Sequence, residues 1–190
     1  PDDLLLRVGM ISFLGMMTEG CMFDWSGVYF KKIVLAEPEY VALGYVCFMG
    51  AMASGRFITD KATNRFGRIP VLQASGISIF VGLLMSVLVP TLITAALGFL
   101  LVGLGVASIV PVAYGIAGRS KLYSPSVALA LVSTISFFGF LLGPPLIGFI
   151  ADLFDLQVSL ALISINGLGI LLLSSIRKQV FFTQETISTP

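Results

Sequence analysis

Gly55-Arg56-Phe57-Ile58-Thr59-Asp60-Lys61-Ala62-Thr63-Asn64-Arg65-Phe66-Gly67-Arg68 is the one strongly charged segment lying between two long apolar runs. It holds one carboxylate, Asp60, and four basic residues, Arg56, Lys61, Arg65 and Arg68. Lys and Arg crowded at the ends of membrane-length helices hold a loop on the cytoplasmic side of a bilayer. The segment therefore reads as a tight cationic hairpin, with Gly55 ending the helix before it, and it fixes which way up its neighbours stand.

Those neighbours are apolar throughout. The 190 residues are 57% hydrophobic and 11% charged, with mean hydropathy +1.02, against about 45–50% apolar and about 25% charged in soluble domains. A bilayer core takes about 20 apolar residues per helix, and six stretches qualify: Leu4–Phe30, Tyr40–Ile58, Ile69–Val89, Leu92–Ala117, Val127–Ile150 and Leu156–Ile176. Breakers separate most of them, at Glu37-Pro38, Val89-Pro90, Ser124-Pro125 and Asp152 to Asp155. Residues 1–178 are expected to form the six-helix body and 179–190 a polar cytoplasmic tail.

Charge placement orients the body. With Arg7 on the cytoplasmic side, Arg56, Lys61, Arg65, Arg68, Arg119, Lys121, Arg177 and Lys178 fall with it, nine of the eleven basic residues, and only Lys31 and Lys32 fall outside. Both termini are thus expected in the cytoplasm. Residues 4–88 and 92–176 each carry three spans, so the second set enters the membrane inverted relative to the first, as in many secondary transporters. The endings Gly55 to Asp60 and Gly148-Phe149-Ile150-Ala151-Asp152 echo each other faintly. The fold class expected is an all-α membrane protein built as two inverted three-helix repeats.

Small residues mark packing faces. Gly50 with Ser54, and Ala51 with Gly55, are spaced four apart, which lets helix backbones approach closely in lipid. Ser136, Gly139 and Gly143 line one side of the fifth span, where Pro144-Pro145 is expected to interrupt the hydrogen-bond ladder, and Pro111 is expected to do the same in the fourth. These positions, with Gly143, are candidate helix breaks.

Glu19 is the leading candidate for chemistry. It falls near the middle of the first span, where an ionised carboxylate must face water, pair with a cation or hold a proton. Ser12, Gly15, Glu19 and Ser26 share a narrow stripe with Tyr29 at its margin, the face expected on a polar cavity. Asp24 lies about 7–8 Å further along and roughly 140° round, so it aims elsewhere and could hold the outer end of the helix. Trp25 and Tyr29 sit near the outer interface, as belt residues or as sugar-stacking surfaces. Asn166 and Ser164 read as interhelical hydrogen-bonders.

Other chemistries lack their residues. There is no histidine, so no Ser-His pair, and no CxxC, HExxH or P-loop pattern occurs. Cys21 and Cys47 lie in apolar runs and read as small buried hydrophobes. Gly103-Leu104-Gly105 is inside a membrane span and signals packing. No enzyme, metal, cofactor or nucleic-acid partner is expected; for the basic hairpin, contact with anionic headgroups is the plainer reading. The opening Pro1-Asp2-Asp3, with no initiator Met and no signal-peptide pattern, is expected of a fragment or a processed chain.

The chain resembles the C-terminal six-helix half of the major facilitator superfamily. Gly55-Arg56, Asp60-Lys61, Arg65, Gly67 and Arg68 look like that family's cytoplasmic loop signature, in a looser form with five steps from Gly55 to Asp60 instead of four and added residues before Arg65. Gly139, Gly143-Pro144 and Gly148 look like the glycine-proline pattern of its eleventh helix. Thr18-Glu19-Gly20, Asp24-Trp25-Ser26 and Tyr29 look similar to the seventh helix of the fucose-permease-like branch. The resemblance implies alternating access in the bacterial inner membrane. Glu19, Asp24, Trp25, Ser26 and Tyr29 would lie toward a solute or proton site, and Gly55 to Arg68 would latch a gate against an N-terminal six-helix half. The solute implied is small and polar, a sugar before a drug-like cation, with proton or cation coupling. The rivals are a multidrug-type efflux half and a stand-alone scaffold or homodimer in which two copies replace the two halves.

Overall fold

In the computed structural model, which describes residues 3–175, six long helices follow one another. They are α1 (Asp3–Lys32), α2 (Leu43–Phe66), α3 (Arg68–Leu88), α4 (Leu92–Ala117), α5 (Pro125–Leu153) and α6 (Leu156–Ser175), with one 3₁₀ turn over Pro38–Tyr40 between α1 and α2. All six are long and apolar enough to cross a membrane. The polar tail 179–190, the last residue of the second repeat, Ile176, and the cations Arg177 and Lys178 lie outside the described residues.

Local chemistry sets the helix ends. Pro125 opens α5, where a missing N–H is of no consequence. Thr91 caps α4, its side chain accepting from the Thr94 N–H, and Asp155 Oδ1 accepts from the Val158 N–H at 2.6 Å at the start of α6. Between α2 and α3 the connection is a single residue, Gly67, at φ 86°. Only glycine adopts that conformation without strain.

Two sequence expectations change here. Helix α2 does not stop at Gly55 or at Ile58 but runs to Phe66. A hydropathy reading detects only the apolar part of a helix, and the last two turns continue with their charged side chains outward, so the hairpin shrinks to Gly67. The second change concerns Pro111, Gly143, Pro144 and Pro145, all of which lie inside uninterrupted helices. A proline removes one N–H, and neighbours can take up the freed carbonyl. Pro144 leaves the Phe140 carbonyl without its helical donor, and Gly20 of α1 packs its backbone directly on that oxygen.

Contacts between helices follow a two-fold pattern. The most extensive are α1 with α5, α2 with α4, α3 with α4, and α3 with α6. Exchanging α1, α2, α3 for α4, α5, α6 maps the first two onto each other and the last onto itself, which is the behaviour of inverted three-helix repeats; α3 with α4, consecutive helices that join the repeats, has only a smaller counterpart in α1 with α6.

Glycines set the closeness of the pairs. A Cβ at Gly76 in α3 would come 2.5 Å from the Gly167 carbonyl oxygen in α6, and one at Gly167 would meet the Gly76 oxygen at 2.5 Å. On α5, Gly143 faces the Met17 carbonyl and Gly139 the Phe13 carbonyl of α1. Gly103 lies on the Phe48 carbonyl and Gly105 on that of Ser75, so the Gly103 to Gly105 motif is indeed a packing device. Of the two small-residue pairs on α2, Ala51 and Gly55 face the bundle and Gly55 meets Ala107, whereas Gly50 has nothing within 4 Å and Ser54 is exposed. Around these contacts Ile11, Met22, Phe30, Phe48, Leu83, Phe99, Ile109 and Ile147 form the buried core.

Two substitutions separate these classes of glycine. Gly76→Val is expected to abolish folded, monodisperse protein in detergent, because two helix backbones would have to part. Gly50→Ala, on open space, is expected to keep or raise the melting temperature by the gain in helix propensity, about 1 kcal/mol. Melting curves of both variants check this.

Candidate functional site

Glu19 lies 13 residues before the end of α1, and Arg56 lies 13 residues after the start of α2. In two antiparallel helices joined at those ends, that spacing puts both residues at the same depth, about 20 Å from the connection. Arg56 Nη2 approaches Glu19 Oε1 to 3.7 Å. This is an ion pair beyond hydrogen-bond distance. The Glu19 side chain is 10% exposed, whereas that of Arg56 is 53% exposed.

Arg56 reaches Glu19 because of how α2 sits on α4. Gly55 packs on Ala107, the Thr59 hydroxyl donates to the Gly55 carbonyl at 2.9 Å, and Thr59 Oγ1 is 3.2 Å from Ser108 Oγ. With that stripe seated on α4, the next residue round the helix turns toward α1. Arg56 Nη2 also lies 3.9 Å from Met52 Sδ, which leaves most of the guanidinium's five donors uncommitted. Sequence reasoning assigned Arg56 to a loop and missed this pairing, although the equal count from the α1–α2 connection was there to find it.

The other members of the α1 stripe separate. Tyr29 is fully buried: its hydroxyl donates to the Ser86 carbonyl of α3 at 2.8 Å and its ring lies 5.6 Å from that of Phe99. It is a strut between helices rather than a cavity wall or a belt residue. Ser12 and Ser26 are buried, and their hydroxyls have no hydrogen-bond partner among the described residues. Gly15 packs on Ile109. The predicted polar face therefore reaches an open surface only at Glu19 and its partner.

Asp24 is exposed, as its offset from Glu19 requires. With Trp25, Val28, Phe140, Pro144 and Pro145 it lines a groove of about 410 Å³ between α1 and α5. The Trp25 indole N–H donates to the Pro144 carbonyl at 3.1 Å, so Trp25 ties the two helices while its ring borders the groove. Beside the groove stands Phe23, unremarked in the sequence reading. Its ring meets Tyr45 at 5.8 Å, Phe48 at 6.3 Å and Phe140 at 6.0 Å, all edge-on, which joins α1, α2 and α5 in one aromatic patch. Asn166 Nδ2 donates to Thr18 Oγ1 at 3.3 Å, the interhelical contact expected of it, while Ser164 donates within α6.

Asp60, Lys61 and Arg65 are exposed on the last turns of α2, and Arg68 opens α3 after Gly67. Cys21 and Cys47 are free thiols, and no cluster able to hold a metal occurs among the described residues.

Known proteins share both the sequence and the fold. No protein-family model matches the chain. It is 32% identical over 165 residues to an uncharacterised MFS-type transporter of Yersinia pestis, covering 87% of this chain and 43% of the relative. It is 32% identical over 186 residues to the membrane protein MosC of Rhizobium meliloti, covering 98% of this chain and 44% of the relative. With an uncharacterised transporter of Sinorhizobium fredii it shares 31% identity over 179 residues, covering 94% of this chain and 48% of the relative. The chain thus spans a little under half the length of the curated relatives it matches. Crystal structures of a peptide transporter mutant, with sulfate and with alafosfalin, superpose at TM-scores of 0.80 and 0.79 with 17% identity, over 92% of this chain and 38% of theirs. The fold is that of half a major facilitator transporter, and the proteins it resembles are transporters and membrane proteins rather than enzymes.

The pair's unequal burial makes its two members unequal in stability. Removing the open partner, by Arg56→Gln, strands a buried carboxylate and is expected to cost about 2 kcal/mol, below the 3–5 kcal/mol of fully buried pairs because Arg56 is half open. Glu19→Gln strands only a half-exposed guanidinium and is expected to cost less. The Arg56→Gln deficit should shrink as pH falls and Glu19 takes a proton. Melting temperatures across a pH series check the order and the trend.

Proposed function

We propose that this chain is the C-terminal half of a major facilitator secondary transporter that moves a small polar solute by alternating access, with proton coupling at Glu19. The observation that carries this reading is the Glu19–Arg56 pair at mid-span, its acid buried and its guanidinium open to the face that a second half would close. Ionisable groups at that depth are costly to hold, and they mark solute and proton paths.

The coupling follows from the pair's chemistry. With Glu19 ionised, the carboxylate and Arg56 neutralise each other. A proton on Glu19 ends that attraction and frees the guanidinium fork to hydrogen-bond solute oxygens. A solute that leaves returns Arg56 to the protonated carboxyl group, which then releases its proton and becomes the carboxylate again. Proton and solute would thereby travel together. The groove of Asp24, Trp25 and Phe140 lies about two helical turns from Glu19 and offers an aromatic face beside a carboxylate, which supports a sugar as the solute.

The same reading places Asp60, Lys61, Arg65, Gly67 and Arg68 at a cytoplasmic gate against the N-terminal half, with both termini in the cytoplasm of a bacterial inner membrane. With Arg56 counted in the span rather than the loop, eight basic residues against two support this orientation.

In proteoliposomes holding the complete transporter, Glu19→Gln is expected to lower pH-driven accumulation at least tenfold while solute exchange across the membrane, which needs no net proton movement, continues. Accumulation equal to the unmodified protein's would remove Glu19 from coupling.

A further inference from the structure

The charges inside the spans lie on one side of the bundle. Glu19, Asp24 and Arg56 are on α1 and α2, whereas α3 from Ile69 to Leu88 and α6 from Leu156 to Ser175 carry none. The α3 side is therefore the one that tolerates lipid. On that side an open groove of about 430 Å³ runs between the end of α2, α3 and α4, lined among others by Ala62, Phe66, Pro70, Ala74, Ser78 and Leu104. From Pro70 to Ser78 it extends about 12 Å along the helix axis. Two of its three serine hydroxyls are already used inside the protein: Ser78 donates to the Leu101 carbonyl at 2.7 Å, and Ser108 pairs with Thr59, while Ser75 is itself buried. What the groove presents is mainly apolar wall.

Its Gly67 end is different. Ala62 and Phe66 each follow a basic residue, Lys61 and Arg65, one helical turn apart and both exposed. The Arg65 guanidinium stands 5.3 Å from the centre of the Phe66 ring. Arg68 opens α3 at this end, and Arg119 and Lys121 follow α4, so Asp60 is outnumbered. An apolar trough open to a bilayer fills with hydrocarbon, and two cations at its headgroup end select the charge of what is attached.

We propose that the groove binds one acyl chain of an anionic phospholipid whose phosphate is held by Lys61 and Arg65. The inference is independent of the solute and of proton coupling. It needs that the chain spans a membrane and that Lys61 and Arg65 meet lipid in at least one state of the gate.

Native mass spectrometry of the complete transporter tests it, with phosphatidylglycerol and phosphatidylcholine offered in equal amounts. One phosphatidylglycerol should be retained per transporter in preference to phosphatidylcholine by about 25-fold, roughly fivefold for each basic contact. The exposed pair Lys61→Gln/Arg65→Gln should erase the preference, and Ala74→Phe, which fills the trough, should lower retention of both lipids. Equal retention of the two lipids by the unmodified protein, or a preference unchanged by the double variant, would overturn the proposal. So would inorganic phosphate raising the melting temperature as much as phosphatidylglycerol does, because the trough would then play no part.

Discussion

A carboxylate and a guanidinium held at the same depth of a membrane-spanning bundle are the constraint to which the surrounding structure answers. Neither charge is tolerable alone in hydrocarbon, so the helices that carry them must keep a fixed register. That register comes from α2 seated on α4 through Gly55 and Thr59, and from α1 locked on α5 through the backbone contacts of Gly20, Gly139 and Gly143. By the two-fold relation between the repeats these are equivalent contacts. The inverted architecture thus holds Glu19 on one helix pair and Arg56 on the other.

Glycine does in this bundle what large side chains do in a soluble core. Lipid tails are as apolar as leucine, so burying leucine between helices gives little drive to associate, and close backbone approach with its dispersion gain takes over. The same closeness lets the prolines sit inside α4 and α5 without breaking them. Gly20 lies on the carbonyl that Pro144 releases, and Trp25 donates to the carbonyl of Pro144 itself. A rigid α1–α5 unit follows. On the proposed reading, motion between conformations is then to be sought where this chain would meet a second half, rather than at the prolines.

Much of this was legible in the sequence, and the misses have definite causes. Six spans followed from hydropathy because bilayer thickness dictates a length, and Glu19 stood out because its depth could be counted. The end of α2 was placed too early, since apolarity stops at the membrane surface while backbone hydrogen bonding does not. That error carried Arg56 into a loop and hid the partner of Glu19. Helical angles separated Asp24 from Glu19 correctly, yet they could not say which neighbour the stripe would meet. Tyr29 shares Glu19's side of α1 by angle but is covered by α3 and Phe99, a matter of tertiary packing that one helix's sequence does not record.

The central claim is that Glu19 carries an exchangeable proton under the control of Arg56. Infrared difference spectroscopy of the complete transporter, recorded between neutral and acid pH, measures that proton directly through the carbonyl stretch of a protonated carboxyl group. The account predicts a band that appears on acidification, is absent in Glu19→Gln and titrates at higher pH in Arg56→Gln, where no cation opposes the proton. A spectrum in which no protonated carboxyl band depends on Glu19, or in which Arg56→Gln leaves its titration unmoved, would contradict it.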